Sequence, residues 1–112
     1  MRIIRLPGIH HDANCVVFSG SDSNILVDAG TTWYQMLQVE RISGHLNKSD
    51  DTNLTLDRIL LTCRRYPFAG GAKHISEENG KVPIHIHQDA ISVLETGDFY
   101  STWANRYDSD MP

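Results

Sequence analysis

The run Ile59-Leu60-Leu61-Thr62-Cys63-Arg64-Arg65-Tyr66-Pro67-Phe68-Ala69-Gly70-Gly71 sets the strongest limit on what this chain can fold into. An apolar stretch suited to a buried strand passes into a polar loop. Pro67 stops the strand, and the glycine pair lets the backbone run close to a neighbour before a helix begins. Strand, loop and helix start in that order form a unit of α/β proteins, which keep their sites in loops at the carboxyl ends of strands.

The rest of the chain supplies elements that fit around this unit. Met1 to Leu6 reads as a first strand ended by Pro7-Gly8, and Ile9-His10-His11-Asp12 as a loop dense in donors and acceptors. Asn14 to Phe18 and Ile25 to Asp28 are two apolar runs across the turn residues Ser19 to Asn24, which predicts a hairpin. Asp28-Ala29-Gly30-Thr31-Thr32 breaks the sheet. From Trp33 to Leu46, the residues Met36, Leu37, Val39, Ile42 and Leu46 recur at three- and four-residue spacing, which predicts an amphipathic helix. Leu56 to Thr62 reads as a central strand, Ala72 to Glu78 as a short helix capped by Asn79-Gly80, and Lys81 to Ile86 as a strand that Pro83 places at an edge. Gln88 to Leu94 reads as a second short helix, and residues 99–112 form an irregular C-terminal segment. The fold class is therefore α/β, a mixed β-sheet with flanking helices.

Composition narrows the function classes. The 112 residues suit a single small domain that buries about two-thirds of its unfolded surface. A formal charge of -4, with no basic run, argues against nucleic acid. No apolar run approaches membrane-spanning length, and the N-terminal apolar stretch is too short for a secretory signal. Cys15 and Cys63 stand far apart and read as free thiols, which points to a cytoplasmic protein.

Three signatures in this order resemble the N-terminal half of the metallo-β-lactamase fold. Ile25-Leu26-Val27-Asp28-Ala29-Gly30 looks like the family's strand followed by Asp-x-Gly. Ile59 to Gly71 stands where the family has Thr-His-x-His-x-Asp-His-x-Gly-Gly, and Val82 to Asp89 resembles the strand and helix that follow. The resemblance covers most of residues 1–98, and it implies one half of a four-layered αββα sandwich. Thr62, Gly70 and Gly71 match the motif, and Asp28 and Gly30 match the structural turn. The ligand positions do not match: Cys63 and Arg65 stand in place of two histidines, Pro67 in place of the aspartate and Phe68 in place of the last histidine. In the family these residues hold metal ions, usually zinc, that activate water for hydrolysis. Arginine is a permanent cation, and proline and phenylalanine offer no side-chain electron pair, which leaves Cys63 alone at the motif.

Other residues remain open to two readings. Cys63 beside Arg64 and Arg65 reads as a reactive thiolate or as a loop cysteine among solvated arginines. Arg64 and Arg65, with the amides of Gly70 and Gly71, are an anion-binding candidate. His85 and His87, two apart, would share one face of a strand and are metal candidates, against an exposed strand face as the alternative. His10, His11 and Asp12 read as a hydrogen-bonding loop before a metal site, because adjacent side chains on an extended chain point apart. Asp28 reads as a structural aspartate that caps turns, Cys15 as core, Tyr66 as a stacking partner of an arginine, and Trp33, Tyr34 and Trp103 as aromatic anchors.

The expected function is that of a metallo-β-lactamase-like half-domain without hydrolase activity of its own and with no cofactor, working in an assembly. A single αβ half leaves one sheet face without a layer to cover it, so the expected partner is a second copy or a complementary half-domain chain. The alternative is a metal-dependent hydrolase of thioesters or esters, similar to glyoxalase II, whose missing ligands and zinc site are completed by another chain or by a missing C-terminal half. An altered or truncated form of a once complete enzyme would carry the same sequence signs.

Overall fold

The structure is a computed structural model and describes residues 1–47 and 54–96. Its described elements are β1 (Arg2–Leu6), β2 (Cys15–Ser19), β3 (Asn24–Val27), α1 (Gln35–Leu46), β4 (Arg58–Leu60), α2 (Tyr66–Ala69), α3 (Ala72–Glu78), β5 (Ile84–His85) and α4 (Ile91–Thr96). Short 3-10 turns, Thr32–Tyr34 and Gln88–Ala90, lead into α1 and α4. The strands form one five-stranded sheet in sequence order. β1, β2 and β3 are antiparallel neighbours, whereas β4 runs parallel to both β3 and β5. This is the mixed α/β sheet expected from the sequence. The irregular segment 99–112, Trp103 included, lies outside the described residues.

Side-chain alternation decides which face is covered. In β2, Cys15, Val17 and Ser19 are buried while Val16 and Phe18 are half-buried on the opposite side. One core joins Leu6, Val17, Leu26 and Ile59 of the sheet to Ile42 and Leu46 of α1 and Ala72 and Ile75 of α3. The other face carries two rows fixed by the register. One runs Ile3, Phe18, Ile25 and Arg58, and the other runs Arg5, Val16, Val27, Leu60 and His85. None of these belongs to the core cluster or packs against it.

The hairpin closes where turn chemistry placed it, with the Gly20 amide donating to the Ser23 carbonyl at 2.8 Å. Asn24 then binds the strand starts together. Its side chain accepts from the Ser19 hydroxyl, its amide donates to the Asp57 carboxylate, and its carbonyl accepts the Asp57 amide. α3 ends at the expected pair, with Gly80 at φ +84° and the Asn79 side chain bonding both the Leu56 amide and the Ile75 carbonyl.

Four expectations need correction. The helix period held, but its phase is rotated: Gln38, Ile42 and Leu46 face inward, while Met36 is 73% exposed and Leu37 41%. Gln38 is buried near Cys15, whose thiol pKa is raised to about 12 by burial and by the nearby Asp28 and Asp12 carboxylates. The strand expected over Leu56 to Thr62 is only Arg58–Leu60, since the Leu56 amide is taken by Asn79 and that of Thr62 by Asp28. The strand after α3 is only Ile84–His85, and Tyr66–Ala69, expected as loop, forms a one-turn helix with Pro67 in its first positions.

Core and surface positions of equal hydrophobicity should therefore separate sharply. Ile59→Ala is expected to cost about 2–5 kcal/mol and Met36→Ala within about 0.5 kcal/mol in urea denaturation. Comparable losses would contradict the assigned phase of α1.

Candidate functional site at the carboxyl ends of β3 and β4

Asp28 directly follows β3, is buried, and sits in the left-handed region at φ +64°, which aspartate tolerates better than most residues. Its own amide donates to the Leu60 carbonyl at 2.8 Å. Its carboxylate accepts the Thr62 amide at 2.9 Å and the Thr62 hydroxyl at 2.8 Å. Two parallel strands that would otherwise splay are thus tied end to end by one side chain.

The turn beyond Asp28 seats the loop that follows β4. The Ala29 amide donates to the Phe68 carbonyl at 2.7 Å, the Gly71 amide to Gly30 at 2.8 Å, and the Ala13 amide to Pro67 at 3.0 Å. At Gly71 a Cβ would lie 3.0 Å from the Thr31 carbonyl oxygen and 3.1 Å from that of Ala29. The glycine pair is thus a close backbone approach. The Gly70 and Gly71 amides are spent on the Tyr66 and Gly30 carbonyls, which removes the two glycines from the anion-binding candidate and leaves Arg64 and Arg65.

Asp12 adds a third tie. Its Oδ1 accepts both the amide and the hydroxyl of Thr31, and its Oδ2 occupies the space a Cβ on Gly30 would need. Burial raises the Asp12 pKa, opposed by the Thr31 bonds and by the charges of Arg41 and His11. His10 stacks on Tyr34 at 5.7 Å, and His11 meets the Trp33 ring edge-on at 5.4 Å. The cluster His10, His11 and Asp12 is therefore split, two rings going to aromatics and the carboxylate to a threonine.

Tyr66, read as a partner for an arginine, is fully buried and its hydroxyl bonds Thr32. Cys63 is a half-buried free thiol whose sulfur accepts the Arg65 amide at 3.3 Å. Arg64 and Arg65 are half-buried. His85 and His87 do not share a strand face, because β5 ends at His85, and both are exposed. A groove of about 610 Å³ lies between α3, β5 and α4, floored by Leu61, Ala69 and Ala72; of the candidates only His85 lines it.

Among the described residues no three His, Cys, Asp or Glu side chains are grouped so as to hold a metal ion. At the loop itself only Cys63 offers a donor suited to zinc. Among the described residues, the loop's side chains alone do not make up the ligand set that the motif would carry.

Residues 9–108 match the model of the metallo-beta-lactamase superfamily. The chain belongs to that superfamily. Solved superfamily members share its fold. A Cronobacter sakazakii metallo-beta-lactamase with a HARLDQ motif aligns at TM-score 0.65 and 17% identity, over 78% of this chain and 32% of that one. A subclass B3 enzyme from a soil metagenome library aligns at TM-score 0.66 and 17% identity, over 86% and 33%. A subclass B3 enzyme of Bradyrhizobium japonicum aligns at TM-score 0.62 and 23% identity, over 75% and 30%. The chain thus spans about a third of the length of the structures it matches. No curated protein matches it. The superfamily expectation carried by Asp28-Ala29-Gly30 and by Thr62 with Gly70-Gly71 is met at the level of fold.

Asp12 was not readable as a tie, since its partner Thr31 is 19 positions away; the adjacent Thr31-Thr32 pair after Gly30 is the one sequence sign that hydroxyl donors gather there. Two measurements follow. Gly71→Ala should destabilise by about 1–3 kcal/mol through its clash with two carbonyls, whereas Gly44→Ala, on the exposed side of α1 where a Cβ meets nothing, should stabilise by about 0.5–1 kcal/mol. Because the folded state keeps the Asp12 proton longer than the unfolded chain, ionisation there opposes folding. Relative to Asp12→Asn, the wild type should lose stability as pH rises from below the usual value of 3.8 through the raised pKa; a flat or rising difference would show that the Thr31 bonds outweigh burial.

Proposed function

We propose that this chain is a superfamily half-domain that has lost its metal ligands, is non-catalytic, and acts through assembly, either with a second copy or with a complementary half-domain chain. The observation that carries this reading is how the loop is held. The bonds that seat it use the carbonyls of Pro67 and Phe68, so its geometry does not depend on the side chains at those positions. A loop fixed by its backbone keeps its shape after its ligands change. The free thiols Cys15 and Cys63 fit a reducing, cytoplasmic setting; among the described residues no helix is long and apolar enough to cross a membrane.

A second reading, a zinc-dependent thioester or ester hydrolase completed by another chain, draws on the Cronobacter relative. The letters H-A-R-L-D-Q share with Cys63-Arg64-Arg65-Tyr66-Pro67-Phe68 the arginine at the third of six places, so Arg65 is compatible with a protein called a metallo-beta-lactamase. That motif keeps a histidine and an aspartate where this chain has Cys63 and Pro67, and this favours the non-catalytic reading.

Purified protein is expected to carry no stoichiometric zinc and to hydrolyse neither simple esters nor thioesters with or without added zinc. One zinc per chain retained through mild chelation, or zinc-dependent turnover, would overturn the proposal.

A further inference from the structure

Asn79 closes a corner where α3, β4 and β5 meet. Its side-chain oxygen accepts the Leu56 amide at 3.1 Å, and its Nδ2 donates to the Ile75 carbonyl at 2.9 Å. The chain then turns through two left-handed residues, Gly80 at φ +84° and Lys81 at φ +61°, and the Lys81 amide returns to the Ser76 carbonyl at 2.8 Å. On the way into β5, the Val82 carbonyl accepts the Ser76 hydroxyl at 2.6 Å and the Pro83 carbonyl accepts the Ile59 amide at 3.0 Å. A lysine held in the left-handed region is strained, so these bonds hold the corner shut against a cost. Asn79 is also the only asparagine of the chain that precedes a glycine. Gly80 is exposed, a Cβ there would meet nothing within 4 Å, and its amide has only a long 3.4 Å bond to the Glu77 carbonyl. Its nitrogen is thus sterically open, whereas the Asn79 amide is fixed at both of its polar atoms.

We infer that Asn79-Gly80 is a latent self-modification site, protected while the corner is shut and deamidating once it opens, so that a reversible opening becomes a permanent one. In the open corner the Gly80 backbone nitrogen attacks the Asn79 Cγ. The N–Cγ bond forms, the Cγ–Nδ2 bond breaks, and Nδ2 leaves as ammonia with the proton of the Gly80 amide. Water then opens the resulting succinimide at either carbonyl, leaving aspartate or isoaspartate with no change of oxidation state. Either product has lost the Nδ2 donor and places a carboxylate oxygen where the Ile75 carbonyl needs a hydrogen-bond donor. Isoaspartate also adds a carbon to the backbone between residues 79 and 80, which displaces the Lys81 amide from Ser76. The corner that carries the α3 terminus and the entry to both parallel strands then has no route back to its original form.

Peptide mass spectrometry of the full chain, incubated at mildly alkaline pH, reads the conversion directly. A reaction that proceeds through an opened state tracks the population of that state, so folded protein should deamidate at Asn79 at least about tenfold more slowly than the same chain in urea. Ser76→Ala removes the hydroxyl bond to Val82 without touching Asn79 or Gly80. It is expected to raise the rate in native buffer severalfold and to leave the rate in urea unchanged. Asn79→Asp, which carries the product side chain from the start, should unfold at lower urea than wild type. Equal rates in native buffer and in urea would overturn the inference, as would no conversion in either. A native rate unmoved by Ser76→Ala, with the variant folded by circular dichroism, would remove the gating from this corner. An Asn79→Asp protein as stable as wild type would remove the one-way consequence.

Discussion

The Asp28 carboxylate is the constraint on which the rest of the structure depends. β3 and β4 are parallel, so no tight turn joins their ends, and something else must hold the chain where it leaves both strands. Asp28 does so by accepting the amide and hydroxyl of Thr62 while donating its own amide to Leu60. A buried carboxylate without such donors would oppose folding. With them, the left-handed turn at Asp28 aims Ala29 and Gly30 at the loop after β4, and the bonds to Phe68 and Gly71 follow from that direction. Substituting either partner would loosen a chain of contacts extending well past the pair.

What the sequence made legible is what local chemistry decides. Turn residues between two apolar runs placed the β2–β3 hairpin, and Asn79-Gly80 placed the end of α3. Asp28, Gly30 and Thr62 were readable through the family pattern. What stayed hidden was decided by contacts distant in sequence. α1 turns Gln38 inward together with Ile42 and Leu46, although hydropathy alone assigns Gln38 to the surface. β4 is short because the Asn79 and Asp28 side chains claim the flanking amides of Leu56 and Thr62. The two glycines offered free amides on paper, and the fold had already used them.

The two faces of the sheet follow different rules for a related reason. On the helix side, buried Asn24 has its partners fixed, Ser19 and Asp57, whereas the buried Gln35 Oε1 of α1 has none among the described residues. On the other side Ile3 and Leu60 stay exposed, in register rows that also hold Arg58 and Arg5.

The loop after β4 shows how a site's frame and its chemistry come apart. A metal centre commonly orders its own ligands, so losing them should disorder the loop. Here the loop has an independent anchorage: the Tyr66 hydroxyl on Thr32, the Asp12 carboxylate on Thr31 one residue away, and three amide-to-carbonyl bonds. Of these only Tyr66 is a side chain of the loop, and it occupies a motif position that the family pattern leaves unspecified. The residues at the ligand positions contribute either carbonyls, as Pro67 and Phe68 do, or a sulfur that accepts a local amide, as Cys63 does. Apart from the Cys63 sulfur, these bonds use no side chain at a ligand position, and the loop's integrity alone is no measure of activity.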